Sequence, residues 1–120
     1  MSKDLKHIDY WVDHEIRNLN DSLFLFFSSQ RVEVSSTYTL SDKSFLAVNS
    51  QQAINIYLGA ANDYKGRFVI IKDEGGYGSI ANITIIPRGI EKIDGNSSYV
   101  INTNYGSVRL YSNGSHWFTV

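Results

Sequence analysis

Few side chains in this 120-residue sequence have both the type and the spacing that chemistry requires. His7 and His14 lie seven positions apart, and on a helix this spacing would place both imidazoles on one face, where several subunits would ring a metal ion. Each histidine, however, lies two positions past an apolar residue of the helical stripe described below, which points it to solvent. We therefore interpret both as solvated side chains and predict no metal site.

Carboxylates in predicted loops are the next candidates: Asp73, Glu74 and Asp94. The sequence DGN that begins at Asp94 has part of the oxygen alternation of a calcium loop, but the remaining ligands and the distal Glu are missing. The glycine-rich segment 75–78 lacks the Lys-Ser/Thr pair and the helix of a phosphate-binding loop. No order of Ser, His and Asp fits a nucleophile elbow, and the chain has no cysteine. We therefore predict that the protein is not an enzyme and holds no cofactor.

Aromatic residues point to binding, since the chain has eight Tyr and two Trp. Exposed aromatic rings in loops are a common means by which β-domains stack on sugars or hold proteins. Tyr64 and Tyr77 fall in predicted loops, and Lys65 and Arg67 are the neighbouring cations. These four are the candidate ligand-binding residues. The alternative for each tyrosine is loop packing with the hydroxyl in water.

The elements that must position these residues begin with a helical pattern. Residues 4–27 contain no Gly or Pro, and their apolar residues recur at a mean step of about 3.5, the coiled-coil period. The stripe consists of Leu5, Ile8, Val12, Ile16, Leu19, Leu23 and Phe26. Because an isolated helix of this length is marginal in water, we expect the stripe to be buried.

Two partners for the stripe are open: the chain's own sheet, and copies of the same helix. The stripe is narrow and the opposite face is charged, which favours self-association. The mixture of Ile and Leu at the core positions favours three or four helices over two. We therefore predict that residues 1–29 form a trimeric coiled-coil stalk that serves as the oligomerisation segment.

From residue 30 onward the apolar period changes to two, the period of a strand. Short alternating segments recur at steps of about ten residues and are joined by Gly, Asn, Asp and Ser turns. The clearest pair flanks Asn113-Gly114, the dipeptide typical of a tight type I′ hairpin turn. The fold class we predict is therefore mainly β, with the N-terminal α-helix followed over residues 30–120 by a small antiparallel β-sandwich or jelly-roll-like head domain.

From Ile93 the last part of the chain reads IDGNSSYVINTNYGSVRLYSNGSHWFTV. It resembles a C-terminal module of structural proteins from tailed bacteriophages and other DNA viruses, whose fibres and spikes end in the pattern IDG…YGSV.LYS.G..W. The likeness continues upstream through GRFVIIKDEGG and ANITIIPRG, so that it covers about residues 38–120. The resemblance implies a virion structural protein with a distal head that meets a host-surface receptor or a glycan.

Net charge and hydropathy limit the other classes. A net charge of −1 argues against a general nucleic-acid-binding protein, because counterion release requires clustered Lys and Arg. No apolar segment is long enough to be a signal peptide or to span a membrane. We therefore expect synthesis in a host cytoplasm without a secretion signal, no membrane insertion, and location in the virion.

The first hypothesis is thus a viral structural protein, a homotrimeric fibre or spike, whose N-terminal end contacts other virion proteins. The alternative is a monomeric carbohydrate-binding or adaptor module that packs its helix on its own sheet. A third hypothesis, a small hydrolase, would require a cluster of ionisable side chains in a closed pocket.

Light scattering of the purified full-length protein should give three times the chain mass of 13.6 kDa. The physical reason is that, in the predicted stalk, copies of the helix cover the stripe by packing on one another. A mass of one chain would contradict the stalk.

Overall fold

The structure is a computed structural model, and it describes residues 30–120. The predicted stalk of residues 1–29, with its stripe from Leu5 to Phe26, lies outside the described residues. The chain divides into two units, Met1–Gln30 and Arg31–Val120. All elements named below belong to the second unit.

Short strands account for most of the regular structure in residues 30–120. Their bounds are β1 Arg31–Val34, β2 Tyr38–Thr39, β3 Phe45–Val48, β4 Ile54–Tyr57, β5 Phe68–Asp73, β6 Ile83–Ile86, β7 Tyr99–Ile101, β8 Ser107–Ser112 and β9 Trp117–Thr119. A short 3₁₀ helix, Ala61–Tyr64, lies between β4 and β5. The expected class, mainly β, is confirmed for this part of the chain.

The strands form two mixed sheets that the chain visits in turn. One sheet has the order β1-β3-β5-β8-β9 and the other has the order β2-β4-β6-β7. From β1 to β6 every pairing is parallel: β3 lies between β1 and β5, and β4 lies between β2 and β6. The chain therefore winds as a short two-sheet coil of the β-solenoid kind.

The last three strands reverse direction and cap this winding. β7 runs antiparallel to β6 in the four-stranded sheet, whereas β8 and β9 extend the five-stranded sheet antiparallel to β5. The expected hairpin at Asn113-Gly114 is present as β8–β9. Its loop is longer than a type I′ turn, because Ser112 pairs with Trp117 and only Gly114 among the loop residues has a positive φ, of 95°.

The expected antiparallel pairing is wrong for β1 to β6, where every pairing is parallel, although two sheets do enclose one core. Alternation of apolar residues reports which side chains are buried, and it is the same for parallel and antiparallel neighbours. Steps of about ten residues suggested hairpins, since parallel neighbours usually need a long crossover. Here each crossover is a strand of the other sheet, so that short steps and parallel pairing coexist.

One hydrophobic core fills the space between the two sheets. Alternate residues of each strand point into it, as in β5, where Val69 and Ile71 are buried and Phe68 is exposed. The largest fully buried side chain is Trp117 of β9. The cap therefore contributes its bulkiest residue to the same core that the winding builds.

A buried carboxylate joins the winding to the cap at the end of β5. Asp73 is 1% exposed, and its Oδ1 accepts hydrogen bonds from the backbone N–H groups of Gly76 (3.1 Å) and Tyr77 (3.4 Å). Its Oδ2 accepts from the N–H groups of Gly78 (2.8 Å) and Tyr105 (3.0 Å). The carboxylate thus holds the β5–β6 loop and the β7–β8 loop together through four backbone N–H groups.

We expect Asp73→Asn to lower the free energy of unfolding by about 2–4 kcal/mol, because an amide NH₂ would face backbone N–H donors and leave some unpaired. The measurement is urea unfolding of the original protein and of each variant, with the free energies compared at a common m value, the slope against urea concentration. The matched control is Asp63→Asn, an exposed carboxylate, for which a change below about 0.5 kcal/mol is expected. Equal effects of the two substitutions would contradict the role of Asp73.

Candidate functional site

A groove of about 800 Å³ opens where the parallel strands of the four-stranded sheet end. Its wall consists of three segments, 39–41, 57–60 and 86–89, which directly follow or include the last residues of β2, β4 and β6. Asp63, Tyr64 and Arg67 close the groove on the side of the 3₁₀ helix. Because parallel strands end at the same edge, the winding brings three separate parts of the sequence to one place.

The local sequence explains why each strand stops at this edge. Pro87 is buried directly after β6 and has no N–H to continue the ladder. After β4, Gly59 leaves room for an aromatic ring, since a Cβ there would lie 2.5 Å from Cε2 of Tyr64. The Tyr64 ring therefore packs directly on the backbone of the segment that follows β4.

Tyr64 supports the groove from beneath. Its side chain is 5% exposed, and its ring lies 5.6 Å from that of Trp117 at an interplanar angle of 46°. The hydroxyl donates a hydrogen bond to the carbonyl oxygen of Ser41, at the end of β2. Burial raises the pKa of the Tyr64 phenol above its ordinary value. The structure thus places this sequence-predicted ligand residue mainly in the core, with one part of it lining the groove.

Arg67 is held over the Tyr64 ring. Its Cζ lies 4.9 Å from the ring centroid, within the range of a cation–π interaction. Its backbone is fixed as well, since its N–H donates to Tyr64 O at 2.8 Å and its carbonyl accepts from Ser112 N–H at 3.3 Å. The guanidinium is exposed and lines the groove, so this predicted residue is in position to meet a ligand.

Two groove residues were not singled out from the sequence, Tyr57 and Arg88. Tyr57, the last residue of β4, is 40% exposed, and its hydroxyl accepts a hydrogen bond from Asn55 Nδ2 at 3.4 Å. Arg88 is exposed directly after Pro87. The signal that they share is their position at a strand end, which identifies a site only once the strands are known to be parallel.

The other two predicted residues lie outside the groove lining. Lys65 is exposed, and its methylene chain lies beside Gly114 of the hairpin, where an added Cβ would be 3.1 Å from Lys65 Cδ. Tyr77 follows the far end of β5, where its hydroxyl accepts a hydrogen bond from Gln51 Nε2 at 3.3 Å. The four candidates therefore do not form one site: Tyr64 and Arg67 meet, and Tyr77 belongs to the opposite end of β5.

The charges of the groove are two guanidinium groups, Arg67 and Arg88, and one exposed carboxylate, Asp63. Glu91 lies nearby, but both of its oxygens accept a hydrogen bond from the N–H of Ala61, at 3.1 and 3.0 Å. Its carboxylate therefore ties the 3₁₀ helix to the segment after β6. Asp63 is thus the one carboxylate among the lining residues that the structure describes.

The described residues contain neither a cluster of metal-ligating side chains nor a membrane-spanning helix. In residues 30–120, no three His, Cys, Asp or Glu side chains lie close enough together to hold a metal ion. No helix within that range has the length and hydropathy of a membrane span.

Neither a scan of protein-family models nor a search of curated proteins gives a match to the chain.

An alkaline absorbance titration should resolve one phenol that ionises above the ordinary range of tyrosine, because burial raises the pKa of Tyr64. The folded state then holds the phenol proton of Tyr64 more tightly than the unfolded state does. The protonated phenol therefore stabilises the fold at pH values below its pKa in the unfolded chain, and this stabilisation is lost as the pH rises through its pKa in the folded protein. Tyr64→Phe should remove the late component. Tyr57→Phe, in the same groove, should leave the late component in place. Loss of the late component in Tyr57→Phe would contradict its assignment to Tyr64.

Proposed function

We propose that the chain is a structural protein of a virion, a homotrimeric fibre or spike, and that its β domain is the distal head that attaches to a host-surface receptor or glycan. The observation that carries the attachment role is the groove at the ends of β2, β4 and β6. The virion assignment is supported by the resemblance of residues 38–120 to the C-terminal module of phage and DNA-virus fibres and spikes.

The scaffold of the groove favours binding over catalysis. Its lining side chains stand on loops whose ends are fixed by paired strands, which is the usual arrangement in binding domains. Glu91 and Tyr64 hold these loops to one another through the bonds to Ala61 and Ser41. A preformed groove of this kind loses little conformational entropy when a ligand enters it.

A trimer would add avidity to this arrangement. An open groove with few charges binds a single ligand weakly, whereas several linked sites raise the overall affinity by about 10²–10⁴-fold when all can engage at once. The predicted stalk of residues 1–29 supplies the linkage in this proposal, and its N-terminal end is the part that would contact other virion proteins.

Antibodies against the β domain should label purified virions, and the label should cosediment with the particles in a density gradient. A fibre or spike protein is retained on the particle through its stalk, so that washing in moderate salt should not release it. Label that stays in the host cytoplasm and never follows the particles would overturn the virion assignment.

The second candidate function is a monomeric carbohydrate-binding or adaptor module. The groove at the ends of β2, β4 and β6 would be the ligand site of this module as well. The native mass separates the two candidates, since the module predicts one chain per particle in light scattering and the fibre predicts three.

A further inference from the structure

We propose that the groove takes an acidic saccharide, in which an oxyanion such as a carboxylate is bound by Arg67 and Arg88 and a sugar ring lies against Tyr57. The inference deepens the proposed function and rests on it, because it names the ligand class of the groove through which the head attaches. Three observations support it: uncompensated cationic charge, a preorganised guanidinium, and an exposed aromatic ring at the same opening.

Neither guanidinium group of the groove is in an ion pair with another residue of the described range, 30–120. The one ion pair found in residues 30–120 joins Arg31 to Glu74 at 2.8 Å, away from the groove. Asp63 is the single carboxylate in the lining, and Glu91 is committed to the N–H of Ala61. Among the lining residues, two guanidinium groups face one carboxylate, so that the lining itself carries one excess positive charge that a negative ligand would complement.

The guanidinium group also determines the kind of anion. Its planar fork of N–H donors matches the oxygens of a carboxylate, phosphate or sulfate with two parallel hydrogen bonds. Arg67 is already held over the Tyr64 ring at 4.9 Å, so less side-chain entropy is lost when it pairs with an anion. The contact is therefore more favourable for an oxyanion than for a neutral hydroxyl.

The rest of the opening fits a sugar ring. Tyr57 presents an aromatic side chain that is 40% exposed and whose hydroxyl is positioned by Asn55. Such a ring packs on the C–H face of a sugar. A groove of about 800 Å³ lies within the range of sites that take small-molecule ligands.

An acidic peptide is the competing ligand, and the position of the groove disfavours it. Extended peptides gain most of their affinity by adding a strand to the free edge of a sheet. The groove lies across the ends of β2, β4 and β6, where the ladder stops. The groove therefore presents side chains at strand ends and not the free edge of a sheet, which suits a compact sugar ring better than an extended peptide backbone.

The test uses the full-length protein and immobilised oligosaccharides that contain uronic or sialic acids, each beside its methyl ester, together with sulfated and neutral sugars. We expect binding to at least one acid and at least about tenfold weaker binding to its ester, the loss typical of one charge-assisted contact. Arg67→Gln and Arg88→Gln should each weaken binding to the acid to a similar degree. Thermal melting of every variant checks that it is folded.

Arg109→Gln is the matched control. Arg109 is an exposed arginine of β8 in the five-stranded sheet, so the substitution removes the same charge away from the groove lining. Binding to the acid should be unchanged, whereas Tyr57→Ala should weaken it. Equal losses in the control and in the groove variants would show a general charge effect and would overturn the site.

Two further outcomes separate this inference from the proposed function. Equal binding of acids and esters, or equal binding of an oligoglutamate peptide, would overturn the acidic saccharide. If that result is accompanied by a trimeric mass and by labelling of virions, the fibre function stands without it. Conversely, acid binding by a protein that never follows the particles supports the site and overturns the fibre.

Discussion

The contact between Tyr64 and Trp117 joins the groove to the core of the fold. Trp117 belongs to the last strand, is completely buried and lies in the cap, while Tyr64 ends the 3₁₀ helix beside the groove. Their rings are 5.6 Å apart, and the same tyrosine bonds to Ser41 and supports Arg67. The position of a surface cation therefore depends on the packing of a residue three positions from the end of the sequence.

The two ends of β5 are fastened by different physical means. At its beginning the aromatic pair excludes water and fixes neighbouring side chains by shape. At its end the Asp73 carboxylate collects four backbone N–H groups from two loops. Both contacts hold a loop or strand of the cap against the winding.

The sequence predicted the strands better than their directions. Alternation in segments such as Phe68–Asp73 correctly indicated strands with one buried face, and Asn113-Gly114 indicated the hairpin. Parallel pairing was missed because Ile56 meets Tyr38 and Ile85 across the ladder, and no local pattern records such distant neighbours. The stalk of residues 1–29 stays a prediction.

Only part of the groove lining was predicted, because the remaining residues are brought together by neighbours that are distant in sequence. Tyr64 and Arg67 were predicted as ligand-binding residues because they combine an aromatic ring and a cation in one predicted loop. Both line the groove. The burial of Tyr64 depends on Trp117, which is distant in sequence, and Tyr57 and Arg88 join the site only through the parallel register. Tyr77 looked equivalent to Tyr64 in the sequence, but it lies beyond the opposite end of β5.

The corners between strands differ in length along the winding, although the ladders remain in register. The segment between β3 and β4 is short, while the one between β4 and β5 carries the 3₁₀ helix, Tyr64 and Arg67. Insertions at a corner leave the hydrogen bonds of both sheets intact, and lengthening a loop costs little additional entropy. A change in the length or the residues of a corner segment can therefore alter the lining of the groove while the ladders that keep the domain folded stay in register.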